Sequence, residues 1–232
     1  IREQAKDYLA RYLELEEIIG IRSDFKNPLD LQKKVNTFED VEDAAQKVRK
    51  SWKLGCDPIF NALELLEDNH IKVIEIDAGD AFDGMQTWVN GDIPVIGINK
   101  NRLKKPDRIR FTAMHELAHL LLPINHLPER QKETLCHQFA GAMLFPAEAI
   151  RMEMGNTRQR LLIQELGPLK QQYGISIQAI VMRLKDLKII SEAYFKQFFF
   201  YLTQMQWRVD EPVDYNGVEK SNRFEQLLFR SE

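Results

Sequence analysis

Between Arg110 and Pro123 the chain carries the string His115-Glu116-Leu117-Ala118-His119, and no other stretch restricts the fold as tightly. On a helix, two histidines four residues apart stand on one face a single turn from each other. They can close on one metal ion, while Glu116 beside them is placed to act as a base. The flanks fit a helix. Pro106 and Asp107 mark a start, Leu117, Ala118, Leu120, Leu121 and Leu122 surround the histidines with uncharged side chains, and Pro123 ends the segment. The stretch therefore predicts a buried helix around which the other elements pack. The competing reading, two core histidines satisfied by hydrogen bonds beside a surface glutamate, leaves the spacing unexplained.

Composition excludes several classes. With 44% hydrophobic and 29% charged residues among 232, the chain suits an ordered globular protein and not a largely disordered one. A net charge of -3 offers no overall attraction to nucleic acid or to an anionic membrane. The two cysteines, Cys56 and Cys136, are far apart and form no CxxC pair, so neither a disulfide scaffold nor a cysteine zinc site is expected, and a reducing cytoplasm is. No basic-then-apolar leader and no apolar run of about 20 residues is present, which again points to the cytoplasm and away from a membrane. The chain opens at Ile1 inside a helical pattern, so sequence upstream is expected.

Taken in order, residues 1–19 have helical periodicity, 20–37 read as a connection, and 39–54 form a second helix ended by Gly55. Asp57-Pro58 is an N-terminal signal for a third helix to about residue 68. Strand patterns follow at 71–76, 86–89 and 93–98, the last two flanking Asn90-Gly91, a hairpin signal. After the His115 helix, residues 129–144 return to helical periodicity. Residues 161–172 and a Ser176-capped helix to about 187 form a pair like a helix-turn-helix; another helix runs over 191–207, and a last short one over 222–229. The class is α+β, a small mixed sheet laid over the metal helix with an auxiliary helical region. Arg158, Arg160, Lys170, Arg183, Lys185 and Lys188 lend the late pair positive charge, but its density favours a packing bundle over DNA recognition.

Two histidines do not complete a catalytic metal site, which takes three protein ligands and leaves one position for water. His126, Glu129, Glu133 and His137 are the candidates for the third, and the last three share one helix face. Glu133, about one turn inside its helix, is favoured because it can point back at the His115 helix; His137, a turn further, would then hydrogen-bond a ligand. His70 reads as a solvated turn residue.

The runs Ile96-Gly97-Ile98-Asn99, Arg110 through Leu121, and Glu133-Thr134-Leu135-Cys136-His137-Gln138-Phe139-Ala140-Gly141-Ala142-Met143-Leu144-Phe145-Pro146 resemble the ImmA/IrrE family of metallopeptidases. The resemblance covers about residues 59–146 by motif and assigns the third zinc ligand to Glu133. Cys136 and His137 depart from the family's usual Ala-Asn pair. It implies a zincin-like core of gluzincin type over 58–155, preceded by a helical segment over 1–57 and followed by a helix-turn-helix-like region over 156–207 and a tail over 208–232.

The resemblance also implies a zinc-dependent peptidase that acts in the cytoplasm on a helix-turn-helix repressor, in stress, phage or mobile-element control. An upstream DNA-binding domain, fused in some members, would carry any DNA contact. Zinc is expected on His115, His119 and Glu133 with Glu116 as the base, although manganese and iron also take such donors. The strand at 93–98, through Val95, Ile96 and Gly97, is expected to be the sheet edge that pairs with an extended substrate. Selection among substrates would then come from docking surfaces over 161–207. A metal-binding sensor domain of a transcriptional regulator, without proteolysis, is the alternative. A purely structural zinc is a third reading, and it has no use for Glu116.

Overall fold

A computed structural model of the chain describes residues 2–21, 24–79 and 82–231. Ile1 of the first expected helix, and Arg22 and Ser23 of the connection after it, lie outside the described residues. The described elements are, in order, α1 (Arg2–Ile19), α2 (Phe38–Ser51), α3 (Ala62–Asp68), β1 (Lys72–Ile76), β2 (Gly84–Val89), β3 (Ile93–Asn99), α4 (Pro106–Leu121), α5 (Glu129–Leu144), α6 (Ala147–Met154), α7 (Ile163–Tyr173), α8 (Ile177–Asp186), α9 (Glu192–Gln204) and α10 (Arg223–Ser231). The protein is α+β, and its helices far outnumber its strands.

The three strands form one mixed sheet in the order β1-β3-β2. β3 runs parallel to β1, with Ile96 opposite Val73, and antiparallel to β2, with Ile96 opposite Gln86. The hairpin turns where Asn90-Gly91 predicts it. Both residues take positive φ, 54° and 84°, and Asp92 N–H donates to the Val89 carbonyl at 3.3 Å. One sheet face packs Ile74 and Val95 with Leu9 of α1, and the other places Val73, Ile96 and Ile98 in the main core with α4. Burial on both faces is why β3 reads as an unbroken apolar run.

That position corrects one expectation. Strand addition at Val95, Ile96 and Gly97 has no edge to use, because β3 is the middle strand and its backbone is paired on both sides. The edge on the hairpin side is β2.

Three helix starts carry the side-chain caps that their sequences offer. Thr37 begins α2 through a capping box with Asp40, and Ser176 and Ser191 accept from Ala179 N–H and Tyr194 N–H at α8 and α9. The third helix starts at Ala62 and not at Pro58. Asn61 is its cap, accepting from Leu63 and Glu64 N–H. Residues 55–57 are held in a loop instead, because the buried Arg49 donates to the carbonyls of Gly55 (2.9 Å) and Asp57 (2.6 Å) as well as to that of Met143. Pro146, which reads as the stop of α5, is also the residue from which the unexpected α6 begins.

The main core is continuous across the expected boundaries near residues 57 and 155. Met114, Leu117, Ala118 and Leu121 of α4 join Phe139, Met143 and Leu144 of α5 and Leu166, Ile180, Val181 and Leu184 of α7 and α8 in one cluster. Each fully buried leucine there contributes about 1.5–3 kcal/mol. The segment from 207 to 222 then straps this body together. Lys170 donates to Asp107 at the start of α4 and to Glu211, both at 2.8 Å. Glu211 also accepts from the Ile177 and Gln178 N–H groups at 2.9 and 3.0 Å, capping α8. Fully buried Arg110 donates to the Ile59 carbonyl and the Tyr215 hydroxyl and pairs with buried Glu219 at 3.2 Å. The late helices and the strap therefore fix the first two turns of the metal helix in place.

Candidate metal centre

α4 carries His115, Glu116 and His119, and α5 packs beside it after a loop that follows Pro123. The α5 face turned inward is built from Leu135, Cys136, Phe139 and Ala140, which leaves Glu133, two residues before that stripe, at the rim of the interface. Glu133 reaches back across it with both oxygens. Its Oε2 is 3.2 Å from His115 Nε2, and its Oε1 is 3.2 Å from His119 Nε2. The two Nε2 atoms are 3.1 Å apart. Each imidazole nitrogen thus faces one oxygen of the same carboxylate and the other imidazole at 3.1–3.2 Å, close to the spacing of about 3.3–3.6 Å that tetrahedral bonds of 2.0–2.2 Å impose on a ligand pair. The donor set fits a zinc-sized divalent ion.

Electrostatics agree with the geometry. Burial, reinforced by the neighbouring rings of His137 and His119, pushes His115 down to about 3, so its imidazole is neutral and its lone pair available. Burial also pushes the Glu116 carboxyl up to about 7, and the Glu133 carboxylate adds to the shift. Glu116 follows His115 on α4 and lies against β2. A Cβ placed on Gly84 would be 3.1 Å from its Oε1. Gly84 is a residue of the site that helical and strand periodicity do not single out; a glycine opening an edge strand before a hairpin was its only mark.

The other candidates separate clearly. His126 is paired with Asn36 Oδ1 at 2.8 Å, and Glu129 with Lys132 at 3.4 Å, so both are engaged elsewhere. His137 is in the site, but its Nδ1 meets the backbone carbonyl of Glu133 at 2.7 Å and not a ligand side chain. His115, Glu133 and His137 also have ligand atoms that all lie within 4.8 Å of one another, so a second possible triad overlaps the first. His119 joins the first set through its 3.1 Å approach to His115 Nε2 and its 3.2 Å approach to Glu133 Oε1. Buried Cys136 keeps its proton, since burial raises its thiol far above the ordinary range. His70 is an exposed turn residue at φ 63°. The positive charge expected on the late helical pair is largely internal. Lys170 and Arg183 are buried on Asp107, Glu211 and Glu42, while Arg158 pairs with Glu165 and Lys185 with Asp186.

Residues 66–185, half of the chain, match the sequence profile of the IrrE N-terminal-like domain of the M78 peptidases. The chain belongs to this family. The match takes in the whole M78 site as built above, from Gly84 on β2 to His137 on α5. No curated protein matches this chain in sequence. Among solved structures, a Mycobacterium tuberculosis transcriptional regulator is similar at a TM-score of 0.43 and 14% identity, over 75% of this chain and 51% of that one. The chain thus spans about half the length of that regulator. Among the described residues of this M78 peptidase-family protein, no helix is long and apolar enough to cross a membrane.

Proposed function

We propose that this protein is a zinc-dependent endopeptidase that cuts one folded cytoplasmic regulator, a repressor of the helix-turn-helix kind. The observation that carries the catalytic part is the meeting of His115 Nε2 and His119 Nε2 with the two oxygens of Glu133, with Glu116 next to His115 on the same helix. His115, His119 and Glu133 hold the ion; manganese or iron would suit the same donors. Such an ion supplies Lewis acidity, polarising a water and a peptide carbonyl. Glu116 then takes the proton from the attacking water and later delivers it to the leaving amine. Its half-buried position, away from bulk solvent, suits a group that must pass through both protonation states near neutral pH.

The substrate side of the reading rests on the sheet. β2 is an edge strand, and Gly84 at its start lies against Glu116, so an extended peptide adding to β2 would pass the base. Backbone pairing of this kind selects little by side chain, which favours a dedicated protein substrate recognised over a wider surface. Direct DNA contact is not part of the proposal, because the basic residues of α7 and α8 are mostly paired within the protein. The test is cleavage by the zinc-loaded chain of the repressor encoded beside its gene, with casein as the control. Cutting of the repressor and not of casein is the expected outcome, and equal digestion of both would refute the narrow specificity.

A further inference from the structure

His137 faces the ligand residues from α5. Its Nδ1 lies 2.7 Å from the Glu133 carbonyl oxygen, one turn back on α5. A carbonyl only accepts, so Nδ1 carries a proton, which leaves Nε2 as the ring nitrogen whose lone pair can go to a metal. A histidine that binds metal through one nitrogen almost always donates its other N–H to a carbonyl, carboxylate or water. His137 has that partner in place. The ring also packs edge-on against His115, with centroids 4.4 Å apart at 65°, and touches Phe111 at 6.0 Å. One of its nitrogens is within 4.8 Å of ligand atoms of both His115 and Glu133, so the exposed ring stands within reach of an ion held by those two residues.

We propose that His137 is a fourth protein ligand, through Nε2, to the ion held by His115, His119 and Glu133, so that the substrate-free centre is closed and opens when His137 swings out. The inference rests on the metal-centre reading above and adds a regulation of that same site. With three imidazoles and one carboxylate on the ion, no position is left for the catalytic water. His137 is solvent-exposed on its helix, so its ring has room to leave when a substrate carbonyl arrives along β2.

The test uses the full chain with Co2+ as the probe and reads its visible absorption and its affinity by competition with a chromophoric chelator. His137→Phe keeps the ring contacts with His115 and Phe111 but offers no nitrogen. The parent should show intense bands of a four-coordinate site that added azide leaves unchanged. In His137→Phe the bands should shift and respond to azide, and affinity should fall at least tenfold. His137→Gln, with the same readouts, serves if the phenylalanine variant fails to fold. Superimposable spectra would overturn the assignment, and so would a fall in affinity with an unchanged spectrum, the mark of a residue that acts through another ligand. His119→Ala separates the two claims. If it loses cobalt while His137→Phe matches the parent, only the His137 assignment falls; if the parent binds no cobalt, the metal-centre reading falls with it.

Discussion

Gly84 and Glu116 meet so closely that the missing side chain of one makes the space for the other. A Cβ on Gly84 would lie 3.0 Å from Glu116 Cγ, 3.1 Å from its Oε1 and 2.6 Å from Thr112 Cγ2. The edge strand therefore sets the position of the base. Gly84→Ala should push Glu116 out of line while leaving the three donor atoms on α4 and α5 untouched. Zinc affinity should stay within a few-fold of the parent while kcat/KM falls by about 100-fold, the usual effect of a 1 Å misplacement. Unchanged turnover would show that β2 does not position the base.

Removing a donor acts on the ion itself. His119→Ala and Glu133→Ala should each weaken zinc binding by more than the roughly 10–100-fold typical of residues that only support a ligand. Chelator competition measures this directly. Zinc should also raise the unfolding temperature of the parent and not of either variant, because the ion binds the folded site alone. Parent-like zinc affinity in either variant would remove that residue from the set.

The strap predicts a stability cost far from the site. Glu219→Ala leaves Arg110 buried without its acidic partner and should destabilise the protein by about 3–5 kcal/mol in urea unfolding. A loss below about 1 kcal/mol would mean that Tyr215 and the Ile59 carbonyl satisfy Arg110 without it.

Local chemistry made much of this fold legible in the sequence. Asn90-Gly91 demands two positive φ angles, Ser176 and Ser191 offer caps, and the His115–His119 spacing has meaning only on a helix; each is a short-range constraint, and each holds. The misreadings come from long-range partners. Asp57-Pro58 has the form of a helix start, but the carbonyls of Gly55 and Asp57 are taken by Arg49, which no local pattern reveals. The run at 93–98 looks alike as an edge or a middle strand until β1 and β2 are placed on its two sides. The same holds for the site: His115, Glu116 and His119 follow from spacing, while the approach of Glu133 to both histidines and of Gly84 to Glu116 depends on elements brought together only in the fold.

Glu67 gives a pH dependence separate from the metal site. Burial pushes its carboxyl up to about 7 from an ordinary 4.5, although Ser221 Oγ at 2.6 Å and Tyr12 Oη at 3.3 Å donate to it. The folded value is the higher one, so the favourable contribution is complete below about pH 4.5 and is lost as pH rises through about 7. Glu67→Gln should escape that loss. Relative to the parent it should gain stability between pH 5 and pH 8, on the order of 1–3 kcal/mol, in urea midpoints taken at both. Parallel pH profiles for the two proteins would show that Glu67 titrates as an ordinary carboxylate.

The most direct measurement of the central claim is hydrolysis by Glu116→Gln loaded with one zinc per chain, assayed on the repressor encoded beside its gene. The amide keeps the shape of the side chain but cannot accept a proton from water at neutral pH. The variant should bind zinc and fold as the parent does, and its cleavage rate should fall to background. Cleavage at the parental rate by the zinc-loaded variant would contradict the assignment of Glu116 as the base.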